Sequence, residues 1–498
     1  MANSRVYGRV LLGALLGLTA LWVVATAGAS PATAALTAEE ELGKALFFDE
    51  ALSNPAGQSC AACHAPQTGW TSPDSAINAG GAVVPGVVAS KAGNRKPPPS
   101  SYAGFQPPLH RCGEGMGSGT CDCGCGMGGG GMGGGGMGGG GMGGGGMGGG
   151  GMGGGGMGGG GMGGGGMGGG GMCSPGQFVG GLFWDGRATG WTLGDPLAEQ
   201  ALGPFQNPLE MHGPNAKLVC LKVRRSGYAA LFEQVWGKQS LDCVKAPEQV
   251  YERIGRSIAA YERSQEASPF SSRFDAFWRA AADSRPPVVR INQMNWTRFR
   301  GYGLDDVELK GLAVFNSKGK CSTCHWLQPR HGAEVPLFTD FGFHNLGIPK
   351  NPENPFYRAS SNFNPDGADW VDPGLGGFLA KTAGAVDAEG HSRDYSAFAA
   401  ENLGKHRTPS LRNVDKRPSA DFVKAFGHNG YFKSVMEVIH FYNLRDVLPV
   451  CAEGGTPAVD CWPAPEVAEN INQDLGDLQL TPAEGMALLA FLKTLSDP

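Results

Sequence analysis

The stretch SCAACH, residues 59–64, decides which kind of fold this 498-residue chain adopts. It places Cys60 and Cys63 three positions apart with His64 directly after them, and CSTCH at 321–325 repeats the pattern. The C-x-x-C-H pattern is typical of covalent c-type haem attachment, in which the histidine next to two thioethers ligates the iron. A shared four-cysteine zinc site and thioredoxin-like redox pairs are the alternatives. Because a histidine follows both pairs at once, the sequence favours two haems.

The second motif supplies Cys321, Cys324 and His325. Capping boxes and apolar residues at helical spacing predict a helix before each motif and another at the C-terminus. Residues 37–52 begin with a capping box, residues 305–315 carry an apolar stripe, and the C-terminal helix begins at TPAE with Leu488, Phe491, Leu492 and Leu495 as its buried face. We therefore predict a mainly α protein with long irregular loops.

Charge and the N-terminal residues bear on where the protein works. A formal net charge of -5 and a pI near 6.1 give no reason to expect a nucleic-acid partner. Arg5 and Arg9 precede an apolar run over 10–29, and small residues follow it. This pattern predicts a signal peptide over residues 1–35, with an uncleaved membrane anchor as the alternative. Either arrangement places the body of the chain outside the cytoplasm, in the periplasm.

The remainder is expected to form two haem domains. We predict an N-terminal domain over 36–295, interrupted by a Gly/Met/Cys-rich flexible insertion at 113–172, and a C-terminal domain over 296–498. Within the insertion, ten methionines recur five apart from Met127 to Met172. That period matches neither helix nor strand, and glycine makes ordering costly. Expansion of a short repeat in a surface loop is one interpretation; capture of Cu(I) by thioethers and nearby thiols is the other.

Thirteen cysteines fit an oxidising compartment. After the four cysteines of the two haem motifs, nine remain. Three disulfides are predicted, Cys220–Cys243, Cys451–Cys461 and Cys112–Cys173. Cys121, Cys123 and Cys125 are then left, so at least one thiol has no partner.

Four segments resemble the bacterial dihaem cytochrome c peroxidase and MauG-type family. They are LGKALFFDEALSNPAGQSCAACH (42–64), LFWDGRATGWTLGDPLAEQALGPFQNPLEM (182–211), KHRTPSLRNV (405–414) and FGHNGYFKSVMEVIHFYN (426–443). The resemblance implies a mainly α fold with two cytochrome-c-like haem domains, in which peroxide reacts at the N-terminal haem and the C-terminal haem transfers electrons.

The same resemblance assigns roles around the N-terminal haem. Gln200 and Glu210 match the glutamine and glutamate of its distal pocket, where a fixed carboxylate moves the proton that peroxide cleavage requires. Trp184 matches the tryptophan between the haems, with Trp191, in a local insertion, as the competing candidate. The loop over 69–88, where reductively activated relatives carry a blocking histidine, contains none. His64 is therefore expected to face an open position.

The C-terminal haem is expected to differ at its second axial position. MauG-type members place a tyrosine fourteen residues after the histidine that matches His428, and Tyr442 stands there. His325 and Tyr442 are thus the implied axial pair, with Met436 and His440 as competitors. The resemblance also implies a calcium ion between the domains, held by Asn94 and by backbone carbonyls of VKAF (423–426).

These assignments imply a peroxidase that reduces hydrogen peroxide to water. A small cytochrome c or cupredoxin would supply electrons through the His325 haem. One alternative is a MauG-type oxidase that modifies Trp or Tyr of a partner protein. Another is a non-enzymatic dihaem electron carrier, in which Gln200 and Glu210 would have no task.

Overall fold

Helices supply most of the regular structure, and strands occur only as short pairs. The computed structural model describes residues 35–113 and 175–498. The α-helices of the described chain are α1 (Ala38–Phe48), α2 (Ser75–Ala79), α3 (Pro196–Gln206), α4 (Ala216–Arg225), α5 (Ala229–Trp236), α6 (Pro247–Arg263), α7 (Arg273–Ala280), α8 (Asp306–Phe315), α9 (Gly374–Leu379), α10 (Val435–Leu444) and α11 (Pro482–Lys493). The predicted mainly α architecture with long irregular loops is confirmed.

Two antiparallel pairs of two-residue strands link distant parts of the chain. They are β1 (His110–Arg111) with β2 (Phe178–Val179), and β3 (Phe343–His344) with β4 (His406–Arg407). In register, His110 faces Val179 and His344 faces His406. These pairs fix the ends of long loops rather than forming a sheet.

The helix before the first motif forms as its cap predicts. Thr37 and Glu40 make a reciprocal capping box, and α1 then packs on α6. The helix ends at Phe48 rather than continuing to residue 52. The Asp49 carboxylate accepts a hydrogen bond from the Ala51 N–H, and such a local side-chain bond competes with the next helical turn. A separate 3-10 turn then follows over Glu50–Leu52.

The helix before the second motif packs on the C-terminal helix. Asp305 and Glu308 form the capping box of α8, and Thr481 and Glu484 form that of α11. The predicted buried stripes of both helices are confirmed. Leu492 is 6 % exposed, and the other members are at most 2 % exposed: Leu309, Leu312, Phe315, Leu488, Phe491 and Leu495. This contact builds a second apolar core.

The described part of Leu36–Pro498 forms one compact unit with two large apolar clusters. One cluster draws its buried members from residues 42–267 and the other from residues 274–495. The division into two haem domains at residue 295 stays a prediction. Among the described residues, no helix combines the length and apolarity needed to cross a bilayer.

Two predicted disulfides are present, Cys220–Cys243 and Cys451–Cys461. The third involves Cys173, which lies outside the described residues. The predicted signal peptide or anchor, the Gly/Met tract and the thiols of Cys121, Cys123 and Cys125 lie outside them as well.

Candidate active site

The first C-x-x-C-H motif lines a cavity of about 940 Å³. Cys60 begins a 3-10 turn, and Cys63 and His64 follow that turn at the cavity wall. Nδ1 of His64 lies 3.2 Å from the carbonyl oxygen of Trp70. Since a carbonyl only accepts, Nδ1 carries the hydrogen and the Nε2 lone pair is left for a metal. Burial lowers the pKa of His64 to about 4, so the ring is neutral, as a metal ligand must be.

The second motif repeats this arrangement at a cavity of about 1600 Å³. Cys321, Cys324 and His325 line its wall. Nδ1 of His325 lies 2.8 Å from the carbonyl oxygen of Phe338, so the Nε2 lone pair is again left for a metal. Burial also lowers the pKa of His325.

The two cavities fit haem and not a shared zinc ion. Each cysteine pair lines its own cavity, so the four thiols do not converge on one ion. The cysteines would attach haem covalently, and His64 and His325 would ligate its iron.

Gln200 and Glu210 lie in the wall of the first cavity, together with His64. Asp195 caps α3 by accepting hydrogen bonds from backbone N–H groups, which starts the helix that carries Gln200. Glu210 follows α3 in a turn, where its carbonyl accepts a hydrogen bond from the Val87 N–H at 2.9 Å. The structure thus brings together the amide and the carboxylate that the sequence pairs.

The environment of Glu210 favours its protonated form. Burial raises the pKa of its carboxyl group, and the nearby charge of Arg187 and a hydrogen bond with Asn207 only partly oppose this. A raised pKa brings a carboxyl group closer to the working pH, where a group that both takes and returns a proton is most effective.

Among the described residues, His64 is the only histidine that lines the first cavity. His110, the next histidine in sequence, lies in β1 with Nδ1 2.8 Å from the carbonyl oxygen of Pro108, and it lines neither cavity. The described residues therefore offer no second histidine to the iron that His64 would hold.

Trp184 lies in the wall that the two cavities share. It lines both of them, and its indole N–H donates to the carbonyl oxygen of Lys96 at 2.7 Å. Its own carbonyl accepts from the Arg407 N–H at 2.9 Å. Trp191 lines neither cavity and instead packs against Tyr395, with ring centroids 5.9 Å apart. The position between the cavities is thus that of Trp184.

A buried ionic network flanks this shared wall. The Arg95 guanidinium contacts Asp185 and Asp372, each at 2.6 Å. Beside Asp372, the rings of His406 and His428 stack with centroids 3.6 Å apart. Because Asp185, Arg95 and His406 are sequence neighbours of Trp184, Lys96 and Arg407, the network holds the three segments that enclose the indole.

Tyr442 lines the second cavity together with His325. Its two competitors lie elsewhere in α10. Met436 packs against the C-terminal apolar core, and His440 donates from Nε2 to the carbonyl oxygen of Ala458 at 2.8 Å. Neither competitor lines the second cavity.

The residues predicted for calcium do not line a common cavity. Asn94 lines the first cavity, whereas 424–426 lines the second. The carbonyl oxygen of Val423 already accepts a hydrogen bond from the amide nitrogen of Asn78 at 3.1 Å. Ca²⁺ takes six to eight oxygen ligands, and its binding by these residues stays a prediction.

Glu262 is a residue of the first cavity that the sequence did not single out. It lies on α6, is 2 % exposed, and its Oε2 atom has no hydrogen-bond partner among the described residues. Burial raises its pKa to about 8. A glutamate at the end of an amphipathic helix is ordinarily a solvated residue, so only the packing of α6 against the cavity identifies it.

Comparison with known proteins agrees with this geometry. A sequence model of the family described as di-haem cytochrome c peroxidase matches residues 37–283. The methylamine utilization protein MauG of Paracoccus denitrificans (strain Pd 1222) is 30% identical over 478 residues, which cover 94% of this chain and 90% of MauG. The cytochrome-c peroxidase IdrP1 of Pseudomonas sp. (strain SCT) is 25% identical over 179 residues, 34% of this chain and 40% of IdrP1.

A solved structure has the same fold over most of its length. The diheme peroxidase BthA of Burkholderia thailandensis E264 superimposes with a TM-score of 0.59 at 27% identity, covering 92% of this chain and 86% of BthA. The chain therefore belongs to the di-haem cytochrome c peroxidase and MauG family of oxidoreductases, whose members carry two c-type haems.

Proposed function

We propose that this chain reduces hydrogen peroxide to water at the His64 site. One observation carries the proposal: Gln200 and Glu210 line the same cavity as His64, where no second histidine of the described chain is available to block the iron. A carrier that only passes electrons would need neither side chain. The family is typically periplasmic, and we place the activity there.

A haem held by Cys60, Cys63 and His64 would supply redox chemistry, passing to peroxide the two electrons that its reduction to water requires. The Glu210 carboxylate takes the proton from one peroxide oxygen and returns it to the other, which leaves as water. The Gln200 amide, being neutral, orients peroxide by hydrogen bonding without competing for this proton.

Electrons are proposed to enter through the His325 site from a small cytochrome c or cupredoxin. Trp184 lines both cavities, so its indole offers an aromatic path between them. The hydrogen bond from the Trp184 indole to the Lys96 carbonyl oxygen and the adjoining Arg95 network hold this ring in place.

A second candidate is the oxidation of Trp or Tyr in a partner protein. Tyr442 lines the second cavity with His325 and would be a second protein ligand of a haem iron held there. A phenolate ligand favours the higher oxidation states of iron, which suits storage of an oxidising equivalent for a slow protein substrate. The similarity to MauG over 94% of the chain also favours this candidate.

Peroxide turnover by the purified dihaem protein tests the proposal. The protein as isolated should show a high-spin ferric haem in electron paramagnetic resonance and should react with peroxide without prior reduction. With a reduced cytochrome c as donor, Glu210→Gln should slow peroxide cleavage by about 10²–10⁴-fold and leave the resting spectrum unchanged. Glu248→Gln, an exposed carboxylate on α6, is the control and should turn over normally.

The same assay separates the two candidates. Rapid oxidation of the cytochrome at each addition of peroxide supports the peroxidase. An oxidised state that persists for minutes with peroxide alone, and that the cytochrome does not discharge, supports the protein oxidase. Two low-spin haems in the isolated protein, or normal turnover by Glu210→Gln, would contradict the proposed site.

A further inference from the structure

Two buried lysines with no carboxylate partner stand at the wall between the cavities. Lys96 and Lys424 are each 5 % exposed. Lys96 lines both cavities, and Lys424 lines the second. Within the described residues, neither ammonium group has a carboxylate oxygen within 4 Å. Lysine is almost never fully buried unless it is paired, so this arrangement requires an explanation.

The contacts of both ammonium groups are neutral. Nζ of Lys96 donates to Oγ1 of Thr71 at 3.1 Å and to the carbonyl oxygen of Pro97 at 2.9 Å. Nζ of Lys424 donates to the carbonyl oxygens of Asn413 and Lys416, at 2.7 and 3.1 Å. An ammonium group has three N–H donors, so one donor on each lysine is left without a partner in the described chain.

Three carboxylates near these lysines are already bound to arginine side chains. Asp415, whose charge acts on Lys424, forms an ion pair with Arg417. Asp185 and Asp372 bind Arg95, which precedes Lys96. None of these three carboxylates pairs with either lysine, so the remaining N–H donor of each ammonium group is available to an anion from outside the polypeptide.

We propose that Lys96 and Lys424 form a built-in cation site that binds propionate carboxylates of the haems and takes the place of calcium between the two haem sites. Every haem carries two propionates, so attachment of haem brings the missing anions to the cavities that these lysines line. Burying an unpaired ammonium group costs free energy, and a hydrogen-bonded ion pair with a propionate carboxylate offsets that cost.

The same charges argue against a calcium ion at this wall. A divalent cation beside two ammonium groups would meet Coulomb repulsion that is weakly screened in a buried site. The proposal concerns how the chain holds its haems, and it stands whether or not peroxide is the substrate.

Reduction potentials of the two haems in the purified protein test the proposal. Removing a buried positive charge stabilises the oxidised, more positive iron, so the potential becomes more negative. Lys424→Met should shift only the haem at His325, because Lys424 lines only that cavity. Lys96→Met should shift both haems, and Lys96→Arg should restore both potentials.

Lys433→Met is the matched control. Lys433 donates to the carbonyl oxygens of Asn78, Gly80 and Gly430, as a half-buried lysine bound to neutral groups, but it lines neither cavity. Its loss should leave both potentials unchanged even if stability falls. A comparable shift in this variant would mean that the effect is structural and would overturn the proposal.

Chelation of the wild-type protein supplies a measurement that needs no variant. After dialysis against EGTA, the metal content and both haem spectra should be unchanged, with far less than one calcium per chain before treatment. One calcium per chain whose removal alters the spectra would overturn the proposal, as would unshifted potentials in both Lys96→Met and Lys424→Met.

Discussion

Tyr442 is the side chain that determines the character of the second haem site. It lines the second cavity with His325, and burial raises the pKa of its free phenol group, so the phenolate needs a compensating cation such as ferric iron. Tyr442→Phe should change the spectrum of the second haem and raise its potential, because phenolate ligation favours ferric iron. The haem at His64 should not change in electron paramagnetic resonance or in a redox titration.

Tyr431→Phe provides the comparison for that experiment. Tyr431 packs edge-on against Phe432 at 5.2 Å and does not line the cavity, so its loss should leave both haem spectra unchanged. If Tyr442→Phe also leaves the second haem unaltered, Tyr442 is not the ligand, and Met436 or His440 would have to reach the iron by a rearrangement of α10.

Some site residues follow from a local sequence motif and could be identified from the sequence. Others depend on the packing of distant segments and could not. Cys60, Cys63 and His64 stand next to one another, so the spacing alone predicts their joint use. Glu262 and Lys96 acquire their importance from burial beside a cavity, which arises only when distant segments pack together. The network around Trp184 likewise joins Arg95 to Asp372 across the chain, and no local pattern predicts it.

Among the contacts between secondary-structure elements, that between α8 and α11 depends on a glycine. A methyl group at Gly311 would overlap the carbonyl oxygen of Ala487, so the two helices approach more closely than side chains would allow. Gly311→Ala should therefore lower the free energy of unfolding by about 1–3 kcal/mol, the usual cost of overpacking. Urea unfolding of the haem-loaded protein measures this change.

Gly485→Ala on α11 is the matched control for that contact. Around a methyl group at Gly485 the nearest atom, on Ile439, is 3.9 Å away, so the added group is accommodated. Alanine is the better helix former by about 0.5–1 kcal/mol, and this variant should be as stable as the wild type or more stable. If both variants lost the same free energy of unfolding, the close contact between α8 and α11 would not explain the effect of Gly311→Ala.

Helix starts were predictable because their causes are local, whereas helix ends and long loops were less so. Thr37 with Glu40 and Thr481 with Glu484 form capping boxes within three residues. Helix α1 ends before residue 52 because the Asp49 carboxylate accepts a hydrogen bond from the Ala51 N–H. The pattern of apolar residues alone does not predict this hydrogen bond. The loop pairings of β3 with β4 depend on segments more than 60 residues apart.

At the scale of the whole molecule, the two cavities share one wall, and that wall contains Trp184 and Lys96. The loops that the sequence left irregular supply it: residues near 95 and 184 meet those near 407 and 428. The long loops of this chain therefore supply the shared wall, whereas α3, α6 and α10 bring Gln200, Glu262 and Tyr442 to the cavities.

Burial of Glu262 should make the stability of the whole protein depend on pH. Its pKa rises from 4.5 to about 8 because burial penalises the charged form. Between these values the folded chain holds a proton that the unfolded chain has lost. Stability contributed by this group is thus fully present below pH 4.5, declines as pH rises, and is lost above pH 8, with a slope of up to about 1.4 kcal/mol per pH unit.

Glu262→Gln should remove this dependence, since glutamine has the same size and never ionises. Urea unfolding at pH 5 and pH 9 should show a larger loss of stability in the wild type than in Glu262→Gln, while the two proteins differ least at pH 5. Glu248→Gln, an exposed glutamate on the same helix, should behave like the wild type at both pH values. If wild type and Glu262→Gln lose the same stability between pH 5 and pH 9, the Glu262 carboxylate is compensated in the folded protein, and the groups that would compensate it are Ser100 and Arg263, which both lower its pKa.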